Sequence, residues 1–170
     1  MKYPLADAMR MQEAMTNLIP AQRCSRARCG GESFRLHLMS YIKQMFAAHP
    51  VDPSSDRGRA IECITAAYSS AEACNVCADA CLSEEDPAAQ IDCIRTSLDC
   101  ADICLATARI VSRMTRTNKE LVGAQLRACH TACEICAAEC GKDGDEMEHC
   151  RICAEACRRC AKACSELLND

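Results

Sequence analysis

Between residues 56 and 168 apolar and polar positions recur with the period of a helix, and the breaks between the periodic stretches are short and well marked. The pattern predicts four long helices, at 56–83, 87–113, 118–140 and 146–168. Asp56 is placed to cap the first. Asp86-Pro87 restarts the chain for the second, an N-cap residue followed by the one helical position where proline is welcome. Thr117-Asn118-Lys119-Glu120 carries a capping-box pattern before the third, which is expected to stop at Gly141, and Asp145-Glu146-Met147-Glu148 plays the same part before the fourth. At about 1.5 Å per residue each helix is roughly 40 Å long, and turns of a few residues force neighbours to run antiparallel. The expected fold is all-α, an up-down-up-down four-helix bundle over 56–170.

The first 55 residues are less regular. Ser33 to Ala48 reads as an amphipathic helix stopped by His49-Pro50, giving a short unit at 33–50, and Leu5 to Leu18 as a shorter, methionine-rich helix within an N-terminal extension at 1–32. One or two short helices are thus expected before the bundle. IPAQRCSRARCGG is a turn-like link carrying Cys24 and Cys29 among Arg23, Arg26 and Arg28, and VDPSSDRG at 51–58 is a hinge by composition. Cys24 and Cys29 read equally well as a reactive thiol pair that receives metal and as a plain loop, so they are uncertain metal residues.

Composition changes the picture at one point. Of 170 residues 18 are cysteine, against two phenylalanines, three tyrosines and no tryptophan, so the core cannot be built on aromatic rings. Six glycines and five prolines are too few for a loop-rich disulfide knot. A net charge of −4 gives no electrostatic reason to expect nucleic acid or an anionic membrane as partner, and no stretch approaches the ~18 consecutive apolar residues that span a bilayer. The opening MKYPLADAMRMQEAMTNLIP has no apolar run of signal-peptide length, which makes the cytoplasm the expected compartment. In a reducing cytosol, thiols at this density are expected to be metal ligands or redox groups.

Their spacing is the strongest signal in the chain. The bundle cysteines are Cys63, Cys74, Cys77 and Cys81; Cys93, Cys100 and Cys104; Cys129, Cys133, Cys136 and Cys140; and Cys150, Cys153, Cys157, Cys160 and Cys164. Within each helix successive cysteines are 3, 4, 7 or 11 apart, the separations that return a side chain to one helical face. If each of twelve such gaps had roughly a 30% chance of falling in a ~100° stripe, twelve successes would arise less than about once in a million sequences. Four thiol-lined faces turned inward make a core lined with sulfur, beside which Ile91, Ile94, Leu98 and Leu105 form a neighbouring aliphatic stripe in the second helix.

Packing alone does not explain sixteen such positions, because leucine, isoleucine or alanine would serve at some of them. Disulfides fit poorly: i and i+4 Cβ atoms are about 5–6 Å apart on a helix, and a disulfide wants roughly 3.5–4.5 Å. CxxxC occurs at Cys77/Cys81, Cys100/Cys104, Cys129/Cys133, Cys136/Cys140, Cys153/Cys157 and Cys160/Cys164, and a metal ion bridges that gap naturally. Structural zinc favours closed tetrahedral sites on turns, and iron–sulfur clusters favour loop-borne cysteine runs that this sequence lacks. A continuous ladder of thiolates suits Cu(I), a soft monovalent ion content with few ligands. Two readings from other classes remain beside it, a thiol-redox or iron–sulfur carrier and a zinc-buffering, metallothionein-like protein. No Ser/His/Asp constellation, phosphate loop or paired-carboxylate signal suggests an enzyme.

CNVCADACLSE (74–84), CIRTSLDCADICLAT (93–107), LRACHTACEICAAEC (126–140) and HCRICAEACRRCAKAC (149–164) resemble the cytosolic bacterial copper storage proteins over Phe34 to Leu168, roughly four fifths of the chain. That resemblance implies a four-helix bundle assembling as a tetramer and filling with multiple Cu(I) ions, with the sixteen bundle cysteines as ligands, mostly in CxxxC pairs. It also implies that 33–48 is the short helix preceding the bundle. The copper donor is not identified by it. The chain departs from the family pattern at Ala67, Ser70 and Ser97, where a lower capacity is expected at those levels of the core, and its third turn, GKDGDEMEHC, keeps only His149 with Met147 nearby. The antiparallel order gathers His149, Met147, Cys81, Cys140 and Cys150 at one end, the expected mouth for copper. His37 and His130 read as surface or packing residues, and Met9, Met11 and Met15 as an ordinary packing stripe.

Overall fold

A computed structural model describes residues 40–51 and 57–169. Expectations for the helix at Leu5 to Leu18, the Cys24/Cys29 link, residues 33–39 with His37, and the Asp56 cap fall outside the described residues. Five α-helices and no strand occur among those described: α1 (Ser40–Ala47), α2 (Arg57–Leu82), α3 (Ile91–Val111), α4 (Lys119–Cys140) and α5 (Glu148–Leu168).

The helix ends are set by local hydrogen bonds that refine the sequence reading. Asn118, not Thr117, caps α4: its backbone is extended and its side chain accepts from the Leu121 N–H at 3.0 Å. Thr117 instead donates its hydroxyl back to the Arg113 carbonyl at 3.2 Å, and Arg116 turns the chain in the left-handed region with φ 53°. Asp86-Pro87 does not begin α3. The Ala89 and Gln90 amides donate to the carbonyls of Asp86 and Pro87 at 3.2 and 3.1 Å, closing a tight three-residue turn, and the α-helix follows from Ile91. Asp145 does not cap α5. The Asp143 carbonyl closes that turn by accepting from the Met147 amide at 2.8 Å, and Met147 takes the N-cap position without a side-chain bond. α4 stops at Gly141 as expected; a Cβ there would lie 2.9 Å from the Ala137 carbonyl. On the outer faces, Arg95–Asp99, Arg151–Glu148 and Lys162–Glu166 are helix-spaced ion pairs, exposed to solvent that screens them, so they add little to stability.

α2 packs against α3 and α5, and α4 against the same two, so that the four long helices close a ring. α1 lies against α2 and places Phe46 in the buried cluster. Across the diagonals the backbones stay apart while side chains meet: Cys74 of α2 reaches Cys136 of α4 at 3.8 Å, and Cys100 of α3 reaches Cys157 of α5 at 3.9 Å. Alanines flank the thiols at 67, 78, 101, 108, 137, 154, 161 and 163, and this run of small side chains lets the helices approach closely enough for sulfur to fill the centre. Bulk is reserved for one end, where Ile61, Ile64 and Leu126 are buried, and where Thr107 accepts from Gln125 Nε2 at 2.9 Å while donating to the Ile103 carbonyl. The aliphatic stripe of α3 lies on its flank. Ile94 packs against the core and Leu105 is half-buried, but Ile91 is 65% and Leu98 43% exposed, because the sulfur face claims the inward direction.

Candidate metal centre

All sixteen bundle cysteines are free thiols and all are buried. The inward direction follows from the helical period: one residue type at spacings of 3, 4, 7 and 11 is carried to one side of each helix. What the period does not dictate is how the four ladders interlock. The shortest sulfur–sulfur approaches run between helices, Cys74–Cys157 and Cys104–Cys133 at 3.4 Å, Cys93–Cys140 at 3.5 Å and Cys74–Cys153 at 3.6 Å. Two CxxxC pairs, Cys100/Cys104 at 3.8 Å and Cys136/Cys140 at 3.9 Å, are slightly wider. Steps of this size join every bundle cysteine except the Cys63–Cys164 pair, itself 3.8 Å apart, into one continuous network. None of these distances approaches the ~2.05 Å of a disulfide bond.

Five sets of donors in this network converge closely enough to share an ion. Cys74, Cys100, Cys136 and Cys157 supply one sulfur from each long helix, and Cys104, Cys129, Cys133 and Cys160 form a second set of four. Two sets of three, Cys77/Cys93/Cys140 and Cys136/Cys140/Cys153, overlap with their neighbours. The fifth combines Cys77, Cys81 and Cys150 with His149. Its imidazole Nδ1 stands 3.4 Å from Cys150 Sγ and 3.6 Å from Cys77 Sγ, while Nε2 lies 2.9 Å from Glu84 Oε1. A carboxylate accepts, so Nε2 donates to Glu84, and Nδ1 is the ring nitrogen turned towards the sulfurs. The three thiols are fully enclosed and the His149 side chain is 23% exposed, so the network meets solvent here through the ring. Met147 packs against the core at the start of α5, close in sequence to this group.

Hydroxyls occupy two levels of the interior. Ser70 is fully buried with Oγ 3.4 Å from Cys157 and 4.0 Å from Cys74 and Cys133; Ser97 is fully buried 3.7 Å from Cys136 and 3.6 Å from Cys140. Ala67 is buried as well. Positions 67, 70 and 97 therefore all sit in the core itself. His130 lies on the outside, its Nδ1 3.5 Å from Glu134, as expected of a surface histidine.

Burial decides the protonation of the thiols near the His149 end. It pushes Cys81 up from 9.0 to about 11, with the neighbouring Cys93 adding to the effect, and it pushes Cys150 up as well, helped by Cys93 and Cys81. Deeper in, sharing of protons separates the group: Cys153 is raised by its hydrogen bonds to Cys136, Cys140, Cys157 and Cys74, and Cys157 is lowered by those from Cys100, Cys133, Cys136 and Cys153. Cys104, Cys129, Cys136 and Cys140 are lowered in the same way by bonds from neighbouring thiols, so the metal-free core is a set of soft donors that share protons among themselves.

Sequence reasoning missed Glu84 and the Thr107–Gln125 pair. Glu84 meets His149 across 65 residues of chain, and no linear spacing signals such a contact.

A helical bundle whose interior is a connected array of reduced thiols defines a soft-metal-binding protein. The family to which it belongs follows from the match of residues 56–169 to the copper storage protein family, of which this chain is a member. Among solved structures, the copper storage protein Ccsp from Streptomyces lividans loaded with 10 copper equivalents is 45% identical with a TM-score of 0.74, over 75% of this chain and 98% of that one. The cytosolic copper storage protein from the same organism carrying five coppers is 49% identical with a TM-score of 0.67, over 68% and 96%. An uncharacterized cysteine-rich protein of Bacillus subtilis (strain 168), YhjQ, is 35% identical over 94 residues, which is 55% of this chain and 82% of that protein. No helix among the described residues is long and apolar enough to cross a membrane.

Proposed function

We propose that this protein stores copper in the cytosol, holding many Cu(I) ions on the thiolates of an up-down-up-down four-helix bundle and performing no catalytic turnover. The proposed ligands are the sixteen bundle cysteines, from Cys63 to Cys164, with His149 and Met147 at the end where copper enters. The observation that carries the reading is the continuity of the buried thiol network, since a structural site needs one closed set of donors and a reservoir needs many that share. Charge supports the monovalent ion. One Cu(I) neutralises one thiolate, so a dry core fills without residual charge at about one ion per thiol, on the order of the sixteen cysteines present. Association into a homotetramer, as family membership suggests, has apolar material to draw on in the exposed Val76, Ile91, Ile135 and Ile152.

The testing experiment is anaerobic addition of Cu(I) to the reduced protein against a competing chelator, with Zn(II) run in parallel. Uptake of on the order of one ion per bundle thiol, with zinc far behind in number, is the expected result. Saturation at about one to four ions, or zinc binding as tightly and to equal number, contradicts the storage reading.

A further inference from the structure

The four donors at the exposed end differ in kind from the rest of the network. Cys77, Cys81 and Cys150 supply sulfur, His149 supplies an imidazole nitrogen, and Glu84 stands behind the ring. Three thiolates and one histidine is a donor set of structural zinc sites, and a carboxylate accepting from the far ring nitrogen is the usual support of a zinc-bound histidine. Four of the six donor–donor edges match such an ion, and all four donor atoms lie within 4.8 Å of one another. With Zn–S near 2.3 Å and Zn–N near 2.0–2.1 Å, a tetrahedral ion requires S–S edges of about 3.8 Å and N–S edges of about 3.5 Å. The Cys77–Cys150 and Cys81–Cys150 edges are 3.8 and 4.0 Å, and the His149 Nδ1 edges to Cys150 and Cys77 are 3.4 and 3.6 Å.

Two inner groups also offer four sulfurs: Cys74/Cys100/Cys136/Cys157 and Cys104/Cys129/Cys133/Cys160. A divalent ion on four thiolates leaves a net charge of minus two. Among the described residues the buried polar side chains beside the thiols are Ser70, Ser97 and Thr107, so no cationic group offsets that charge in the interior. At the exposed end the histidine replaces one thiolate and leaves minus one, next to solvent. The exposed Glu84, Glu85 and Asp86 on one turn and Asp145 and Glu146 on the other add a negative field that draws cations towards it.

We infer that in the copper-free protein Cys77, Cys81, Cys150 and His149 bind one tetrahedral divalent d10 ion, Zn(II) or Cd(II), with Glu84 as the residue that positions the histidine, while the inner thiols take only a monovalent metal. Zinc binding releases the protons of the three thiols and none from His149 Nε2, which stays bonded to Glu84.

The test uses the full, reduced, metal-free chain under anaerobic conditions and no copper, so its failure leaves the storage reading, tested by Cu(I) uptake, where it stands. Zn(II) is added against a chromophoric chelator, and Co(II) serves as a spectroscopic substitute whose visible bands report tetrahedral sulfur and nitrogen coordination. Wild type is expected to bind one equivalent that H149A removes. E84A weakens that equivalent by about 10–100-fold, and E84Q, whose amide oxygen still accepts from Nε2–H, restores most of it. Far-UV circular dichroism establishes that each variant is folded; should E84A fail that check, the H149A and E84Q results and the wild-type Co(II) spectrum decide the question. No zinc bound by wild type, an equivalent indifferent to H149A, further equivalents on the inner thiols, or a Co(II) spectrum without tetrahedral thiolate character overturns the inference.

Discussion

Replacing Ser70 with cysteine tests whether the interior behaves as one shared array. Ser70 lies one helical turn before Cys74, fully buried, with Oγ 3.4 Å from Cys157 Sγ and 4.0 Å from Cys74 and Cys133. A hydroxyl is a hard donor that Cu(I) ignores, whereas a thiol at the same place stands within reach of three others. Charge balance then sets the gain: one more thiolate admits about one more Cu(I), against roughly sixteen in the parent core. The cost to the apo fold is small, because the strain of fitting the larger sulfur, about 1–3 kcal/mol, is offset by removing a buried hydroxyl with only sulfur partners, about 1–3 kcal/mol in mutational series. S70C is therefore expected to melt within about 1 kcal/mol of wild type and S70A to keep wild-type capacity. Native mass spectrometry after anaerobic loading and removal of loosely held metal counts the ions. An S70C capacity equal to wild type, or an S70A capacity several ions lower, refutes the shared-array reasoning.

Four further outcomes follow from the same geometry. C104A removes the sulfur that touches Cys100, Cys129, Cys133 and Cys160, so it should cost more than one Cu(I) in the mass count while destabilising the apo protein by only about 1 kcal/mol. L126A, at the bulky end of the core, should destabilise by about 2–5 kcal/mol in thermal unfolding and leave the copper count unchanged. Apo stability should fall as pH rises. The folded Cys81 holds its proton to about 11 while the unfolded thiol releases it near 9.0, so stability present below 9.0 is lost between the two values, which thermal melts at pH 8 to 11 will follow. Cu(I) uptake in weakly buffered solution should release protons as the thiols ionise, and an indicator dye that registers none contradicts the assignment of the thiols as ligands.

The inward face of every bundle helix was legible from cysteine spacing alone, because a 3.6-residue period carries positions 3, 4, 7 and 11 apart to one side whatever surrounds them. The pairing of sulfurs was not. CxxxC looks like the natural unit in sequence, yet Cys74–Cys157 and Cys104–Cys133 are closer than Cys100–Cys104, because the register between helices is set by how alanine-lined faces interlock. The helix starts were legible to within a few residues and only partly right in their caps: Asn118 outcompetes Thr117 for the Leu121 amide, Asp86 Oδ1 accepts from the Ala89 amide at 3.4 Å but in a turn ahead of α3, and the Asp143 carbonyl does the work assigned to Asp145. That His149 lies at the same end of the bundle as Cys81, Cys140 and Cys150 was legible from the antiparallel order of the helices. Glu84 behind it was not, since acidic residues crowd both turns and only the fold selects one.

X-ray absorption at the copper K-edge of the anaerobically loaded protein tests the central claim most directly, because it reports oxidation state and ligand atoms together. Storage on buried thiolates predicts a Cu(I) edge, a first shell dominated by sulfur and copper–copper scattering from ions that share thiolates. A Cu(II) edge, or a first shell of oxygen and nitrogen without copper neighbours, contradicts it.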